Sequence, residues 1–438
     1  MSALSKYKTY PEYKDSGVEW LGKIPSHWEA KRLSNFFIER REKVSDKDYP
    51  ALSVTKLGIV PQLETAAKTD AGDNRKLVLK NDFVINSRSD RKGSSGTSPY
   101  NGSVSLISIV LEPKNILPKF AHHLLRSIPF QEEFYRFGKG IVADLWSTNS
   151  SEMKNILLPE LDKIEQAKIA QFLDHETAKI DQLIEKQQTL IELLKEKRQA
   201  VISRAVTKGL DPNVKMKDSG VEWLGEVPEH WNISRLGFES LIKARLGWKG
   251  LKAEEYVEQG YIFLATPNIK SGDIDFENVN YITQKRYEES PEIMLKKGDV
   301  LVTKDGSTTG TTNIVRNLPS PATVNSSIAV IRPQSSLHSE YLYYYFISPY
   351  TQNVIKRMQG GMGVPHLFQA DLRVFNLILP PTQEQIEIAT YLDNRTSKID
   401  LLIQKAEQQI ELMKERRTAL ISAAVTGKID VRDWQPEQ

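Results

Sequence analysis

The chain has 438 residues, 26% charged and 39% apolar, the make-up of a globular protein long enough for about two to four domains. Its formal net charge of +3, from 59 Lys+Arg and 56 Asp+Glu, permits a nucleic-acid partner without demanding one. Cysteine is absent, which excludes disulfides and thiolate metal sites, and no apolar run reaches the roughly 18 residues of a membrane span. The polar opening MSALSKYKTYPEYKDSG lacks the apolar core of a signal peptide, so a cytoplasmic location is expected.

The first recognisable element is the phrase KDSGVEWLGKIPSHW at residues 14–28, which returns as KDSGVEWLGEVPEHW at 217–231, an offset of 203. Only Lys23/Glu226, Ile24/Val227 and Ser26/Glu229 differ. Ser16-x-x-Glu19 and Ser219-x-x-Glu222 have the pattern of a capping box, ended by Pro25 and Pro228. Trp20, Trp28, Trp223 and Trp231 read as packing anchors. The phrase is expected to clip the following domain to the rest of the chain; the competing reading is a surface for a partner protein. His27 and His230 have no carboxylate or histidine at ligand spacing and read as structural.

Residues 29–158 then read as mixed α/β. Strands are predicted at 76–87 and 103–112 from their Val and Ile content, and a helix carries AHHLLRSIPF (121–130). A Gly-containing loop at 137–146 and a short strand ending in LLP follow. A long helix is predicted over 164–205, free of Pro and Gly and rich in Glu, Gln, Lys, Leu and Ala. After the second phrase, residues 232–379 repeat the plan. Strands are expected at 261–266, 298–304 and 326–333, then a helix carrying SEYLYYYFISPY (339–350), the loop QGGMGVPHLF (359–368) and a second long helix over 383–424.

The long helices are copies of one another at an offset of 219, FLDHETAKIDQLIEKQQ against YLDNRTSKIDLLIQKAE. The two offsets differ by 219 − 203 = 16 residues, so the second intervening segment is the longer. Apolar residues at Ile169, Leu173, Ile180, Leu183, Leu190, Leu194 and Val201 follow a heptad, as do Ile388, Leu392, Ile399, Leu402, Ala406, Met413 and Leu420. Each seam needs a partner, and the other helix of the same chain is the nearest. A duplicated chain folding about a pseudo-twofold axis would make the two antiparallel, in a rod of roughly 60 Å.

Two polar loops suit nucleic-acid contact. The loop at 87–97 holds Ser87, Arg88, Arg91, Lys92, Ser94 and Ser95; the loop at 304–313 holds Lys304, Ser307, Thr308 and Thr309. Thr55, Lys56, Lys139, Asn268, Lys270, Gln359, Met362 and His366 complete the candidate DNA-binding set. A solvated connection is the competing reading for each loop. The stripe Tyr341, Tyr343, Tyr344, Tyr345 and Phe346 could stack bases, but at helical spacing it reads as core. The clusters Lys195-Glu196-Lys197-Arg198 and Lys414-Glu415-Arg416-Arg417 read as a solvated helix face, although their likeness points to one surface used twice.

Enzyme signatures are missing. Ser98-Pro99-Tyr100 and Ser348-Pro349-Tyr350 lack the second proline of an amino-methyltransferase motif, and there is no GxxxxGK[ST] or HExxH. Glu152-x-Lys154 has no convincing partner carboxylate for a nuclease core. No catalytic, cofactor-binding or metal-binding residue is assigned.

The doubled phrase, with LP-x-x-EQ-x-x-I-A-x-[FY]LD-x-x-T-x-KID-x-LI after each α/β segment, resembles the specificity (S) subunit of type I restriction–modification systems. The motif stands here as Glu165-Gln166…Ile180-Asp181 and Glu384-Gln385…Ile399-Asp400, and the resemblance spans essentially the whole chain. It implies an α+β fold in which two pseudo-symmetric α/β-type target recognition domains are separated by an antiparallel two-helix coiled coil. Recognition domain 1 would be 1–158, with its docking segment at 14–33, and the first conserved helix 159–210. Recognition domain 2 would be 211–379, with its docking segment at 217–236, and 380–438 the second conserved helix and tail. The resemblance further implies a non-catalytic subunit reading a bipartite, asymmetric site in double-stranded DNA, one domain per half-site. The coiled coil would set the spacer through Ile180, Leu183, Leu190, Leu194, Val201, Ile399, Leu402, Ala406, Met413 and Leu420. Two methyltransferase (M) subunits would dock, joined in a full complex by two motor-nuclease (R) subunits. S-adenosylmethionine, ATP and magnesium would reside on those partners, in a bacterial or archaeal cytoplasm. The residues leave two other classes open: a self-contained methyltransferase or endonuclease with a cryptic site, and a coiled-coil scaffold that binds only proteins.

Overall fold

The computed structural model describes residues 6–62, 72–140, 146–221, 224–246, 251–270, 272–358 and 366–436. They fall into two compact units, 1–188 with 407–438, and 189–406. The first long helix runs Lys163–Lys208 and the second Thr382–Val425. Each unit holds the beginning of one long helix and the end of the other.

In the first unit the phrase folds as a hairpin, Tyr13–Asp15 against Lys23–Pro25. Ser16 does not cap a helix here: its hydroxyl accepts from the Val18 N–H at 3.1 Å, and the chain turns back through Gly22, at φ +57°. The second copy makes the same hairpin, Met216–Asp218 against Glu226–Pro228, with Val221 N–H on Ser219 at 3.1 Å. Glu222 and Trp223 lie outside the described residues.

A four-stranded antiparallel sheet follows in each unit with the same order. In the first it runs Phe37–Glu39, Ser108–Pro113, Phe83–Asn86, Ser95–Thr97; in the second, Ser240–Lys243, Ile328–Pro333, Val300–Thr303, Thr312–Ile314. The single strands expected at 76–87 and 103–112 are each two strands in two sheets. Arg75–Val78 and Gly102–Val104 pair in a three-stranded sheet, whereas Phe83–Asn86 and Ser108–Pro113 pair in the four-stranded one. Asn81, at φ +77°, turns the first break, a conformation a branched residue would resist. The second unit's smaller sheet differs, since Tyr261–Leu264 pairs with Ala322–Val324 in parallel.

The helices expected around 121–130 and 339–350 are each a pair: Pro118–Arg126 with Ile128–Arg136, and Ser339–Ile347 with Pro349–Met358. A serine makes each corner. Ser127 Oγ donates to Leu124 O at 2.8 Å and Ser348 Oγ to Tyr345 O at 2.7 Å, while Pro129 and Pro349 start the next helix without needing an N–H partner. Tyr341, Tyr343, Tyr344, Tyr345 and Phe346 are all buried, as core.

Within the first unit the early turns of the first long helix run antiparallel to the late turns of the second, with Arg417 Nε bonded to Asp181 at 2.9 Å. Within the second unit Arg198 Nε bonds Asp400 at 2.8 Å. Offset 219 carries Asp181 to Asp400 and Arg198 to Arg417, so one pair is made twice with the helices exchanged. These arginines lie in the clusters read as a solvated face; the guanidinium instead spans the pair. Ile180, Ile399, Ala406 and Leu420 are buried, and Leu194, Val201 and Met413 half-buried. Leu183, Leu190 and Leu402, assigned to the same stripe, are 50%, 44% and 51% exposed. A seam alternates steps of three and four, so Ile184, Ile191 and Ile403 occupy those turns; the preceding leucine is rotated off by about 100°.

Each long helix ends against a phrase. In the first unit Gly427 (φ +71°) leaves no room for a Cβ, which would sit 2.4 Å from Pro25 Cδ and 3.0 Å from Trp28 Cζ3. In the second, Gly209 (φ +76°) abuts Trp231, with the nearest ring atom 3.2 Å from such a Cβ. Gly17, at φ +70°, has nothing within 4 Å. Gly17→Ala should therefore cost only the left-handed backbone penalty, about 1–2 kcal/mol. Gly427→Ala should cost about 1–3 kcal/mol more through overpacking, measured by urea unfolding of the two variants.

Candidate nucleic-acid interface

The frame that presents the loops rests on side chains near the start of each long helix. In the first unit Glu165, 3% exposed, receives Tyr10 OH at 2.6 Å and Trp28 Nε1 at 3.1 Å, with His27 Nε2 2.9 Å from its other oxygen. Burial and this carboxylate push the Tyr10 hydroxyl far above its ordinary value, so it stays a donor. In the second unit Glu384 holds Trp231 Nε1 at 3.0 Å and His230 Nε2 at 2.8 Å. The histidines read as structural thus do have a carboxylate partner, brought by the fold from a remote position.

The next residue grips the α/β segment. Gln166 accepts from the Leu117 N–H at 2.8 Å and donates to Leu161 O at 2.9 Å. Gln385 accepts from the His338 N–H at 2.7 Å and donates to Ser336 O and Pro380 O, both at 2.9 Å. Two turns on, Asp174 faces His123 Nε2 at 2.8 Å, and its copy Asp393 accepts from Tyr344 OH at 2.6 Å. The His123 hydrogen bond, with Lys119 adding to it, holds the Asp174 carboxyl down at about 2. Sequence reasoning quoted these positions only as a signature; their persistence in both copies, while the segments they hold drifted, was the available signal.

The candidate loop residues divide into those that face solvent and those the fold consumes. Lys56, Arg88, Arg91, Lys92, Lys139, Lys270, Ser307 and Thr308 are exposed, and Thr55, Ser87, Thr309 and His366 half-buried. Ser94, Ser95, Asn268 and Lys304 are buried, which removes them from a contact surface. Asn268 is a turn brace, accepting from Ala265 N–H at 2.9 Å and donating to Asn278 O at 2.8 Å. Several exposed cations are paired: Lys92 with Glu132 at 2.6 Å, Lys139 with Glu152 and Lys270 with Asp275, both at 2.8 Å. Gln359 and Met362 lie outside the described residues.

The loops at 87–93 and 304–310 have one architecture. Each leaves a strand of the four-stranded sheet, makes a short 3₁₀ turn (Ser89–Arg91, Gly306–Thr308) and re-enters through a left-handed glycine, Gly93 at φ +83° and Gly310 at φ +89°. Each is backed by a second segment: Thr148 N–H bonds Ser87 O at 3.0 Å, and Leu367 N–H bonds Lys304 O at 2.8 Å. The turn between strands Leu52–Thr55 and Gly58–Pro61, which carries Thr55 and Lys56, lies beside the first loop's return strand, with a Cβ on Gly96 falling 3.1 Å from the Gly58 Cα.

Residues 228–412 match the family described as "Type I restriction modification DNA specificity domain". Over 427 residues the chain is 24% identical to the type I restriction enzyme MjaVIII specificity subunit of Methanocaldococcus jannaschii, covering 94% of this chain and 95% of that one. The chain is thus similar, over nearly its whole length, to type I restriction enzyme specificity subunits. Against the EcoKI specificity subunit of Escherichia coli the likeness is 22% over 216 residues, 49% of this chain and 47% of that one. Among solved structures, a chain of a type I R-M system superposes with a TM-score of 0.70 at 16% identity, covering 92% of this chain and 98% of the other. The HsdS subunit from Thermoanaerobacter tengcongensis gives 0.56 at 17%, covering 93% and 98%. These superpositions establish the fold that this chain shares with them. Among its described residues no group of His, Asp and Glu is placed to hold a metal ion, and no helix is long and apolar enough to cross a membrane.

The Asp174 anchor predicts a pH dependence. Its carboxyl titrates lower folded than unfolded, near 3.9, so its contribution is complete above pH 4 and lost as pH falls through about 2. Asp174→Asn should lower stability at pH 7 and flatten the loss between pH 4 and 2, read from urea midpoints across that range.

Proposed function

We propose that this chain is the DNA sequence-recognition subunit of a type I restriction–modification complex, non-catalytic by itself. In this reading it addresses a bipartite, asymmetric duplex site with one domain per half-site. Recognition domains at 1–158 and 211–379 alternate with conserved helices at 159–210 and 380–438. The observation that carries the reading is one loop architecture held on duplicated anchors while the residues at its tip changed: Arg88, Asp90 and Arg91 in one copy, Asp305, Ser307 and Thr308 in the other. A frame kept constant under changing tips is what two unlike half-sites require, because groove contacts specify and the scaffold only positions.

The long helices support the docking of two methyltransferase subunits. Leu183 and Leu402, 50% and 51% exposed, are copies at offset 219, and so are Leu193 and Leu412, at 57% and 56%. Apolar spots offered twice suit two identical partners. Catalysis would belong to those partners, with S-adenosylmethionine on the methyltransferase, and ATP and magnesium on two restriction subunits where these are present. A cytoplasmic setting belongs to the same reading.

Insertion of one heptad into both helices, after Gln187 and after Ala406, should lengthen the coiled coil by about 10 Å. That corresponds to about three base-pair steps of 3.4 Å. Methylation mapping of a host carrying this variant with its methyltransferase should show a longer spacer between unchanged half-sites. Altered half-sites with an unaltered spacer would refute the ruler. The purified chain alone should neither methylate nor cleave DNA, and activity there would refute the non-catalytic assignment.

A further inference from the structure

The two recognition loops place opposite hydrogen-bonding chemistry at equivalent points. In the first unit the backbone bridge beside the loop joins Arg88 to Ser147; in the second it joins Asp305 to His366. Both bridges sit next to the matching bonds Thr148 N–H to Ser87 O and Leu367 N–H to Lys304 O. Arg88 is exposed, and among the described residues its guanidinium takes no ion-pair partner, whereas Arg91 lies 3.5 Å from Asp90 and Lys92 is paired with Glu132. At the corresponding place in the second loop stands an acid, not a cation.

Asp305 is spent on His366, whose Nδ1 hydrogen-bonds its carboxylate. Burial opposes ionisation of Asp305, but hydrogen bonds from Ser327 and His366 outweigh it and hold the carboxyl below its ordinary value. An ionised carboxylate only accepts, so Nδ1 of His366 carries the proton, and in the neutral ring Nε2 keeps its lone pair. The ring is steadied from the side by Phe368, edge-on with centroids 4.4 Å apart. His366 keeps 35% of its side chain exposed.

We infer that the two half-sites are read with opposite polarity: Arg88 donates to a guanine edge in one, and His366 Nε2, oriented by Asp305, accepts from an exocyclic base amine in the other. This inference rests on the recognition role proposed above. Arg88 supplies the two-pronged donor that fits guanine O6 and N7, and a neutral imidazole nitrogen fits adenine N6 or cytosine N4. Asp305 is a positioning residue, acting only through His366.

The test uses the chain with its methyltransferase partner and a randomised duplex pool, comparing wild type with Arg88→Ala, His366→Ala, Asp305→Ala and Asp305→Asn. Arg88→Ala should relax one guanine position about tenfold in one half-site. His366→Ala should relax one position in the other half-site several-fold, and Asp305→Ala should relax that same position. Asp305→Asn, which can still accept from Nδ1, should restore much of the preference. Base analogues then identify the atoms. At the Arg88 position 7-deazaguanine should weaken wild type but not Arg88→Ala. At the His366 position a base lacking its exocyclic amine should weaken wild type but not His366→Ala. Relaxation of both variants in one half-site, no relaxation, or amine-independent binding at the His366 position would overturn the inference. A wild-type complex that selects no sequence would overturn the recognition role itself.

Discussion

The frame of each unit depends on a carboxylate and an amide side by side at the start of a long helix. Glu165 and Glu384 draw in the indole N–H of the repeated phrase, and Gln166 and Gln385 draw in a backbone N–H at the start of the helix pair. A buried indole N–H or main-chain N–H left unpaired costs about 1–3 kcal/mol. The pair therefore fixes where phrase, helix pair and long helix meet, in each unit separately. Two turns later Asp174 or Asp393 adds a third anchor, so the segment cannot pivot about the first two.

The closing end is equally constrained. Lys428 Nζ reaches Leu21 O at 3.0 Å and also Lys23 O, and in the other unit Lys208 Nζ reaches Glu226 O. The dipeptides are reversed, Lys208-Gly209 against Gly427-Lys428, yet in both a left-handed glycine lies against the phrase tryptophan and a lysine crosses to phrase carbonyls. Shape at the glycine and charge at the helix C-terminus are what each site needs, and either order supplies them.

How much of this was legible in the sequence follows from the length scale of each signal. The long helices could be read because 3.5-residue periodicity without Pro or Gly is local, and the repeat could be read because identity needs no structure. The seam was misplaced by one residue at Leu183, Leu190 and Leu402, since leucine and isoleucine stand adjacent there and only packing selects between them. The strands at 76–87 and 103–112 were merged because Asn81 and the turn at Ser105–Ile107 interrupt apolar runs without a glycine or proline to mark them. Among the loop residues, the exposed cations were visible as composition. The burial of Ser94, Ser95, Asn268 and Lys304, and the meeting of Asp305 with His366 across 61 residues, arise only from the fold.

The glutamine grips have a consequence for how such a chain can change. Gln166 and Gln385 bond main-chain N–H groups, at Leu117 in one copy and His338 in the other, and are indifferent to the side chains those residues carry. The aspartate two turns on tolerates an imidazole in one copy and a phenol in the other. The helices thus act as a socket keyed to backbone and to that one side-chain donor, imidazole or phenol. A different α/β segment that offers those groups would fit the socket wholesale, without a compensating change in the part that receives it.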